Sequence, residues 1–383
     1  MKNFKRINIA GICINICSGG TPKSTYSKYY GGNIPWLNTK EVNFNRIYET
    51  EKRITLEGLE NSSAKWIEKN SIIVAMYGAT AGKCAISKIP LTTNQACCNL
   101  TIDPQKADYR FVFYALFNDY QRLSSLANGG AQQNLNTQRI KEFDIPYPAI
   151  EKQIEIADIL SSLDDKIELN NRINDNLLTQ AKVLFKAWFF DWIPFDRKMP
   201  DSWSVSTLGD VTDMGAGGDK PKTTSHLKTP ACPYPIYSNS ISDYGLYGYT
   251  DAPKIMNESV TVSARGTIGY VCLRHIPYVP IVRLVTLIPN TDILSAKYLY
   301  LFLSHRNITG TGTTQQQLTV PDFSKTEIPI PDKQIMTSFT EIVTPFFQQI
   351  WANEEENEKL TEVRDTLLPK LMSGELDVSE LDI

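Results

Sequence analysis

Residues 156–188 of the chain read IADILSSLDDKIELNNRINDNLLTQAKVLFKAW, and residues 339–371 read FTEIVTPFFQQIWANEEENEKLTEVRDTLLPKL. In the first stretch a seam of mostly apolar side chains runs from Ile156 to Trp188 at alternating steps of four and three residues. That spacing predicts a two-stranded coiled coil. Adding 183 to each seam position gives the seam of the second stretch. At 1.5 Å per residue, a first helix of about 40 residues spans roughly 60 Å.

Both seams carry two asparagines at matched central positions: Asn170 and Asn174 in the first, Asn353 and Asn357 in the second. A buried seam asparagine costs stability but fixes helix register, because its amide needs a partner. If a pseudo-twofold axis relates the halves, the helices run antiparallel, with Asn170 facing Asn357 and Asn174 facing Asn353. We therefore assign the four to helix register. The alternative is that these positions are simply exposed.

Two prolines interrupt the second stretch. Thr344-Pro345 fits either an N-cap followed by proline at the first helical position or a kink inside a longer helix. Because Pro369 limits the other end, the sequence by itself supports helix only over residues 345–368.

The segments that precede the helices also repeat. The matches, which follow one order along the chain, are Gly19-Gly20 with Gly217-Gly218, 71–78 (SIIVAMYG) with 259–266 (SVTVSARG), 111–116 with 298–303, and 145–148 (IPYP) with 328–331 (IPIP). Such ordered matches indicate a duplication. Short strands are predicted at 71–77, 84–87, 97–102, 259–264, 270–273 and 282–288, with an apolar helix near 108–117 and another near 296–304.

The predicted fold class is α+β: two tandem α/β domains, related by a pseudo-twofold axis and separated by two long antiparallel coiled-coil helices. We place the first domain at 1–148, a central helical region at 149–193, the second domain at 194–330 and a C-terminal helical region at 331–383. The formal net charge of −3 is divided along these segments as +7, −3, +1 and −8. The acid thus concentrates in the helical regions, and the first domain offers a basic surface that suits DNA.

Several classes of protein are disfavoured. No apolar run approaches the ~18 residues of a membrane span, and the N-terminal residues lack a signal-peptide cleavage site. The seven cysteines form no C-x-x-C pair, and with three histidines they give no zinc-ligand spacing. We expect a cytoplasmic protein without a membrane partner or bound metal, whose reduced cysteines pack as small hydrophobic side chains.

Residues 78–83 (GATAGK) resemble a phosphate-binding loop but do not satisfy its requirements. Only three residues separate the glycines, and Cys84 follows the lysine where the motif needs Ser or Thr. A hairpin turn is the better interpretation. Asp322 and Glu327 hint at a metal-dependent nuclease, but no lysine follows the glutamate, so surface acid is favoured. Without a catalytic constellation, we expect a non-catalytic chain.

Polar, aromatic and basic residues in the turns are the candidates for DNA contact. Backbone N–H groups and lysines suit phosphates, amides and hydroxyls suit base edges, and an arginine suits guanine. The candidates are Ser18, Gly19, Gly20, Thr21, Lys23, Lys28, Tyr29, Trp36, Asn38, Lys40, Tyr77 and Lys83 in the first domain, and Lys220, Lys222, Thr223, Tyr237, Ser238, Asn239, Arg265 and Thr267 in the second. For each residue the alternative is a solvated loop.

The whole chain resembles the specificity subunit of type I restriction–modification systems. The residues that carry the resemblance are 145–148 (IPYP), 152–154 (KQI), 164–170 (DDKIELN) and 184–189 (LFKAWF), then 328–331 (IPIP), 333–335 (KQI) and 364–375 (RDTLLPKLMSGE), together with 18–22 (SGGTP), 34–37 (IPWL), 235–239 (PIYSN) and 245–249 (GLYGY). Two features depart from the pattern: Arg364 in the seam, and the weak basicity of residues 194–330.

The resemblance implies two target-recognition domains, each reading half of a bipartite, asymmetric site in double-stranded DNA. The helices would act as a ruler and as the dock for two adenine-N6 methyltransferase (modification) subunits, which restriction/translocase subunits would join. S-adenosylmethionine, ATP and Mg would then belong to those partners, with no cofactor in this chain. Two alternatives stay open: a methyltransferase or nuclease with a duplicated reader, and a protein-binding scaffold that never touches DNA.

Overall fold

The computed structural model describes residues 4–127, 134–310 and 316–380. The chain divides into two compact units: unit 1 comprises Met1–Leu169 and Glu355–Ile383, and unit 2 comprises Asn170–Glu354. Each unit contains one globular segment and one part of each long helix. The four consecutive segments proposed from the sequence stay a prediction. The compact units are a different division, because each unit combines parts of three of those segments.

Unit 1 is a mixed α/β unit. Its strands are β1 (Arg6–Asn8), β2 (Cys13–Ser18), β3 (Tyr30–Leu37), β4 (Asn45–Ile47), β5 (Lys52–Ile54), β6 (Trp66–Ile67), β7 (Ile72–Ala75), β8 (Cys84–Ser87), β9 (Leu91–Thr93), β10 (Cys97–Ile102) and β11 (Asp144–Pro146). Its shorter helices are α1 (Ile9–Ile12), α2 (Leu56–Glu60), α3 (Tyr109–Asn118), α4 (Tyr120–Ser125) and α5 (Thr137–Glu142). The first long helix, α6 (Ile150–Phe189), begins here.

Unit 2 repeats most of these elements. Its strands are β12 (Ser204–Thr207), β13 (Thr212–Ala216), β14 (Tyr234–Tyr237), β15 (Leu246–Thr250), β16 (Ser259–Ser263), β17 (Val271–Arg274), β18 (Val279–Pro280), β19 (Leu284–Pro289) and β20 (Glu327–Ile330). Its shorter helices are α7 (Leu208–Val211), α8 (Ala296–His305) and α9 (Val320–Phe323), and the second long helix, α10 (Lys333–Ser373), begins here. The strands and apolar helices predicted from the sequence are confirmed to within a few residues.

The sheets confirm the duplication. In unit 1 the main sheet has the order β2-β10-β7-β8-β4, and in unit 2 it has the order β13-β19-β16-β17. A second sheet in each unit contains one parallel pair, β3 with β9 and β14 with β18. Two-stranded ladders, β1 with β11 and β12 with β20, tie the start of each globular segment to its end. The two halves therefore share strand order as well as sequence.

Strand β7 shows why the repeated apolar run folds as it does. Ile72 and Val74 pack into the cluster that contains α3, whereas Ile73 and Ala75 pack into a second cluster with Leu37. Successive strand side chains point to opposite faces. Because both faces of this central strand are buried, it needs an unbroken run of apolar residues rather than an alternating one.

The long helices are antiparallel within each unit. In unit 1 the core contains Ile156 and Leu160 from the first turns of α6 and Leu371 from the last turns of α10. In unit 2 the core contains Phe185 from the last turns of α6 and Phe339 from the first turns of α10. Each unit thus buries opposite ends of the two helices together.

Helix α10 resolves the choice that the proline left open. It continues without a break from Lys333 to Ser373, so Pro345 lies inside a longer helix. The hydroxyl of Thr344 donates to the carbonyl oxygen of Thr340 at 2.6 Å. Pro345 lacks the N–H of one intrahelical hydrogen bond and its ring crowds the carbonyl of Glu341, but the apolar face around it is buried at Val343 and Phe347. Tertiary packing therefore carries the helix past the proline.

The seam residue Arg364 is accommodated by a specific partner. Its guanidinium donates to Asp164 Oδ1 at 2.8 Å, and both side chains are 15% exposed. Asp164 also accepts a 2.5 Å hydrogen bond from the hydroxyl of Tyr114. Burial, and then the charge of Asp164, raise the pKa of Tyr114 well above its usual range, so this hydroxyl stays protonated and donates. The charge in the seam is thereby neutralised inside unit 1.

Two of the seam asparagines meet within unit 2. Asn353 Nδ2 donates to Asn174 Oδ1 at 2.7 Å, and Asn353 Oδ1 accepts from Gln349 Nε2 at 2.7 Å. Asn353 is buried. The contact is the one that antiparallel helices require. Asn170 lies in unit 2 and Asn357 in unit 1, and their pairing, like the register role of all four asparagines, stays a prediction.

We expect Leu371→Ala to destabilise unit 1 by about 2–5 kcal/mol, because Leu371 is fully buried and its truncation leaves a cavity. The midpoint of urea unfolding, followed by circular dichroism, measures this effect. Val363→Ala on the same helix is the control, since Val363 is 46% exposed. Equal shifts for the two variants would contradict the packing described.

We also expect Asn174→Ala and Asn353→Ala each to destabilise the protein by about 1–3 kcal/mol, because each leaves the other amide without its partner. The double variant should lose little more than the worse single variant, so that a double-mutant cycle gives a clear coupling energy. The matched control is the exposed amide pair Asn176 and Gln180 on α6. Additive losses at Asn174 and Asn353 would show that their hydrogen bond contributes nothing.

Candidate nucleic-acid interface

A short turn joins two neighbouring strands of each main sheet. In unit 1 it follows Tyr77 and links β7 to β8; in unit 2 it follows Arg265 and links β16 to β17. Gly78 and Gly266 begin the turns with φ of +76° and +74°, a conformation that glycine adopts without strain. The hairpin turn predicted for residues 78–83 is confirmed. The same scaffold thus presents one exposed turn per unit.

The turns are held in the same way in both units. In unit 1 the hydroxyl of Thr80 donates to the carbonyl oxygen of Thr39 at 3.0 Å. In unit 2 the hydroxyl of Thr267 donates to the carbonyl oxygen of Asn239 at 2.9 Å. Thr39 and Asn239 lie at matched places: Thr39 is two residues after the end of β3, and Asn239 is two residues after the end of β14. Each turn is therefore fixed against the end of its second sheet.

The side chains on these turns differ between the units. Tyr77 is 39% exposed, whereas the matched residue of unit 2 is the exposed Arg265. The guanidinium of Arg265 donates to Gln317 Oε1 through Nε at 2.9 Å and Nη2 at 2.5 Å. Asn239 Nδ2 donates to the carbonyl oxygen of Arg265 at 2.9 Å. Arg265, Asn239, Thr267 and Gln317 form what we call the arginine cluster, in which the guanidinium is oriented by a neutral amide.

Sequence reasoning did not single out Gln317 for this cluster. Its segment, 315–318 (QQQL), matches 132–135 (QQNL) in the repeat, but this match by itself predicts no contact with Arg265. Residues 132, 133 and 315 lie outside the described residues. The described residues of the two segments make the same backbone hydrogen bond: the N–H of Leu135 donates to the carbonyl oxygen of Met76, and the N–H of Leu318 donates to the carbonyl oxygen of Ala264. The repeat matches Gln317 to Asn134, and Asn134 forms an isolated β-bridge with Tyr77, the counterpart of Arg265.

Several predicted lysines already contact other side chains. Lys28 forms an ion pair with Glu57, and Lys40 with Glu51. These four side chains are about half exposed, and exposed pairs of this kind contribute little to stability. Both lysines therefore remain accessible to a phosphate.

The remaining lysines lie at the surface or near it. Lys83 Nζ donates to Asn43 Oδ1 at 2.6 Å, and Lys220 Nζ lies 3.1 Å from the hydroxyl of Tyr247. Lys23, Lys222 and the hydroxyl residue Thr223 are exposed on the loops that precede the second sheets. These residues suit phosphate contact.

The glycine pair and two aromatic residues serve packing instead. Gly19 and Gly20 are buried, and their N–H groups donate to the carbonyl oxygens of Cys97 and Thr93. A Cβ on Gly20 would lie 2.1 Å from the backbone nitrogen of Ala64. Trp36 is 4% exposed, with its indole N–H on the Gly20 carbonyl at 2.9 Å, and Tyr29 is 8% exposed. We therefore remove these four residues from the proposed DNA contacts.

The other candidates are partly exposed. Asn38 accepts from Asn94 Nδ2 at 2.9 Å, and Ser18 lies 3.0 Å from the Thr137 hydroxyl. Thr21 is exposed and donates to Gln95.

In unit 2, Tyr237 lies beneath the guanidinium of Arg274 at 3.6 Å, a contact that sequence reasoning missed. Ser238 donates to the carbonyl oxygen of Gly245. Tyr237 and Ser238 are both partly buried and contact neighbouring residues, so they lie at the border of the site and are less accessible than Arg265.

Nothing among the described residues suggests metal chemistry. They contain no group of three or more His, Cys, Asp or Glu side chains arranged to hold a metal ion. At the start of α9 the Thr319 hydroxyl caps the helix by accepting from the N–H of Asp322 at 3.3 Å, and it donates to Asp322 Oδ2 at 2.7 Å. All seven cysteines are free, and burial raises the pKa of Cys98 to about 12. Among the described helices, none combines the length and apolar character that crossing a bilayer requires.

Comparison with known proteins agrees with this geometry. Residues 1–179 and 200–362 match the family model described as type I restriction modification DNA specificity domain. The type I restriction enzyme MjaIX specificity subunit of Methanocaldococcus jannaschii is 28% identical over 96% of this chain and 92% of its own length. The type I restriction enzyme HindI specificity subunit of Haemophilus influenzae is 23% identical over 98% of this chain and 100% of its own length.

A solved structure shows the same fold. The S subunit of a type I restriction–modification system from M. genitalium superposes with a TM-score of 0.60 at 21% identity, covering 97% of this chain and 96% of the other. Because the family model matches nearly the whole duplicated chain, the chain belongs to the type I restriction modification DNA specificity domain family and is a non-catalytic subunit that recognises DNA sequence in a restriction–modification system.

Proposed function

We propose that the chain reads a bipartite, asymmetric site in double-stranded DNA, with each unit reading one half. The observation that carries this proposal is the pair of matched turns. Both are exposed on the same scaffold, but Tyr77 stands in one and Arg265 in the other. A shared scaffold supports a shared docking geometry, whereas different side chains at the tip support different bases.

The arginine cluster is the part of unit 2 best suited to a base. An arginine reads guanine through two hydrogen bonds to O6 and N7. Here the guanidinium is held by Gln317 Oε1, which orients it without neutralising its charge. Binding guanine would exchange part of this contact for base contacts of similar chemistry. The weak net charge of residues 194–330 then matters less, because a single oriented arginine supplies specificity and neighbouring lysines supply affinity.

The long helices are proposed to set the distance between the half-sites and to dock two methyltransferase subunits, which restriction/translocase subunits join. Two readers about 34 Å apart face the same side of DNA one helical turn apart. Helices of 40 and 41 residues are long enough for such a role. S-adenosylmethionine, ATP and Mg are proposed to bind to those partner subunits and not to this chain.

We expect Arg265→Ala to weaken binding by about 1–3 kcal/mol and to relax the sequence requirement in one half-site only. Binding of the chain with its methyltransferase subunits to a library of DNA duplexes, measured by selection and sequencing, tests this. Tyr77→Ala is the matched variant and should affect the other half-site. Arg265→Lys keeps the charge but loses the planar fork, so it should restore affinity more than specificity. Changes in both half-sites from one substitution would contradict the proposal.

Inserting one heptad between Asn170 and Leu177, with a second between Asn353 and Leu360, should lengthen the spacer by about three base pairs, since seven helical residues rise about 10 Å. Mapping methylated adenines in a host genome by single-molecule sequencing measures the outcome. Both half-site sequences should be unchanged. An altered half-site with an unaltered spacer would refute the proposal that the length of the helices sets the spacer.

Two further measurements separate the alternative functions. A methyltransferase or nuclease would act as the lone chain on DNA, so an activity assay without partners distinguishes it. A scaffold that never touches DNA would show no salt-dependent binding in a titration with the methyltransferase present, whereas a DNA reader loses affinity steeply as salt rises.

A further inference from the structure

A second exposed turn lies beside the arginine cluster of unit 2. Residues 281–283 (IVR) join β18 to β19. The N–H of Ala264, the residue before Arg265, donates to the carbonyl oxygen of Arg283 at 2.8 Å. Because β16 and β19 are neighbouring strands, Arg265 and Arg283 lie at the same end of the main sheet. The fold thus brings together two arginines where sequence reasoning singled out one.

The backbone of Arg283 differs from that of its counterpart in unit 1. Its φ is +75°, in the left-handed region that is strained for residues other than glycine. The counterpart is Ala96, whose carbonyl oxygen accepts from the N–H of Met76 as that of Arg283 accepts from Ala264. Ala96 does not share the positive φ and is 9% exposed, whereas Arg283 is exposed.

The left-handed backbone explains why this arginine is exposed. Residues opposite each other on antiparallel strands place their side chains on the same face of the sheet. Ala264 is buried, so an extended backbone would direct the side chain opposite it into the core, as happens at Ala96. The φ of +75° breaks this alternation at Arg283. Backbone strain that brings a charged side chain to the surface beside a binding site points to a role in binding.

Arg265 and Arg283 differ in what holds their side chains. The guanidinium of Arg265 is oriented by Gln317 Oε1. Among the residues that the structure describes, no carboxylate and no other acceptor pairs with the guanidinium of Arg283. An oriented guanidinium suits the two fixed acceptors of guanine. An exposed guanidinium that no neighbour orients suits a phosphate, whose charge attracts a cation from many directions.

The charge at this end of the sheet favours an anion. Five segments meet here through hydrogen bonds and a backbone bridge: 217–222, 237–241, 264–268, 281–283 and 316–318. Their charged residues are Arg265, Arg283, Lys220 and Lys222, against the single carboxylate of Asp219. The segments therefore carry a net charge of +3, although residues 194–330 as a whole carry only +1. The positive charge of unit 2 is thus concentrated around the arginine cluster.

We propose that Arg283 is a second DNA-contacting residue of unit 2 and binds a backbone phosphate beside the base that Arg265 reads. This inference rests on the proposed function, because it requires unit 2 to face DNA. Arg265 supplies sequence specificity, and Arg283 supplies affinity and fixes where the arginine cluster lies along the duplex. Unit 1 has Ala96 at the matched position and lacks this contact.

The test measures binding of the full chain with its methyltransferase subunits to two DNA duplexes, one of the sequence that this complex selects and one of unrelated sequence. Fluorescence anisotropy at several salt concentrations gives the affinity and its salt dependence. Arg283→Gln should weaken binding to both duplexes by the same factor, about five- to tenfold at low salt, and should reduce the slope of log affinity against log salt by about 0.9. Arg283→Lys should restore both values, because a phosphate contact does not need the planar fork.

Two further variants serve as controls. Arg197 is also an exposed arginine with positive φ, +60°, but it lies in the connection between α6 and β12, outside the five segments. Arg197→Gln should leave affinity and salt slope unchanged. Arg283→Gly separates binding from folding, because glycine relieves the left-handed strain. Its midpoint of urea unfolding should stay the same or rise, while its DNA affinity falls as in Arg283→Gln.

The outcomes distinguish this inference from the proposed function. Relaxed discrimination at one base position, with an unchanged salt slope, would make Arg283 a base reader and overturn the phosphate contact. Unchanged binding by Arg283→Gln, while Arg265→Ala still relaxes one half-site, would overturn this inference alone. A lower unfolding midpoint for Arg283→Gly would assign Arg283 a structural role and overturn it too. Absence of salt-dependent DNA binding by the unsubstituted complex would overturn both proposals.

Discussion

The burial of each end of one long helix against the opposite end of the other is the interaction on which the rest of the structure depends. Neither globular segment closes its core alone: unit 1 needs Leu371 from the end of the chain, and unit 2 needs Phe185 from before its own first strand. The sheets and the matched turns sit on cores completed in this way. A change in helix pairing would therefore disturb the cores of both units.

The spacing of apolar residues predicted most of the fold. Seam periodicity and the apolar run of β7 are local signals, because a helix or central strand must bury those positions wherever it packs. The length of α10 was underestimated, because proline weakens a helix locally while Val343 and Phe347 hold it through burial elsewhere. Sequence also could not assign residues to compact units, since residues 355–383 join unit 1 across the whole of unit 2.

The candidate site was predictable in outline and less so in detail. The repeat placed Tyr77 and Arg265 at equivalent positions, and both are exposed. Glycines in a polar loop suggested anion binding, yet Gly20 is needed because another backbone passes within the space of a side chain. A sequence shows that a residue is small or polar but not what lies against it. For the same reason Gln317 escaped notice, since its role comes from contact across 52 residues of chain.

The discontinuity of unit 1 has a consequence for the order in which the protein forms. Unit 2 is one continuous stretch, Asn170–Glu354, whereas unit 1 joins Met1–Leu169 to Glu355–Ile383. During synthesis from the N-terminus, unit 2 acquires its last core residue before unit 1 does. Unit 1 begins first along the chain but is completed second, and its apolar surface stays exposed until residues 355–373 have been made. An exposed apolar surface favours aggregation, and the docking of this part of α10 onto unit 1 removes that exposure.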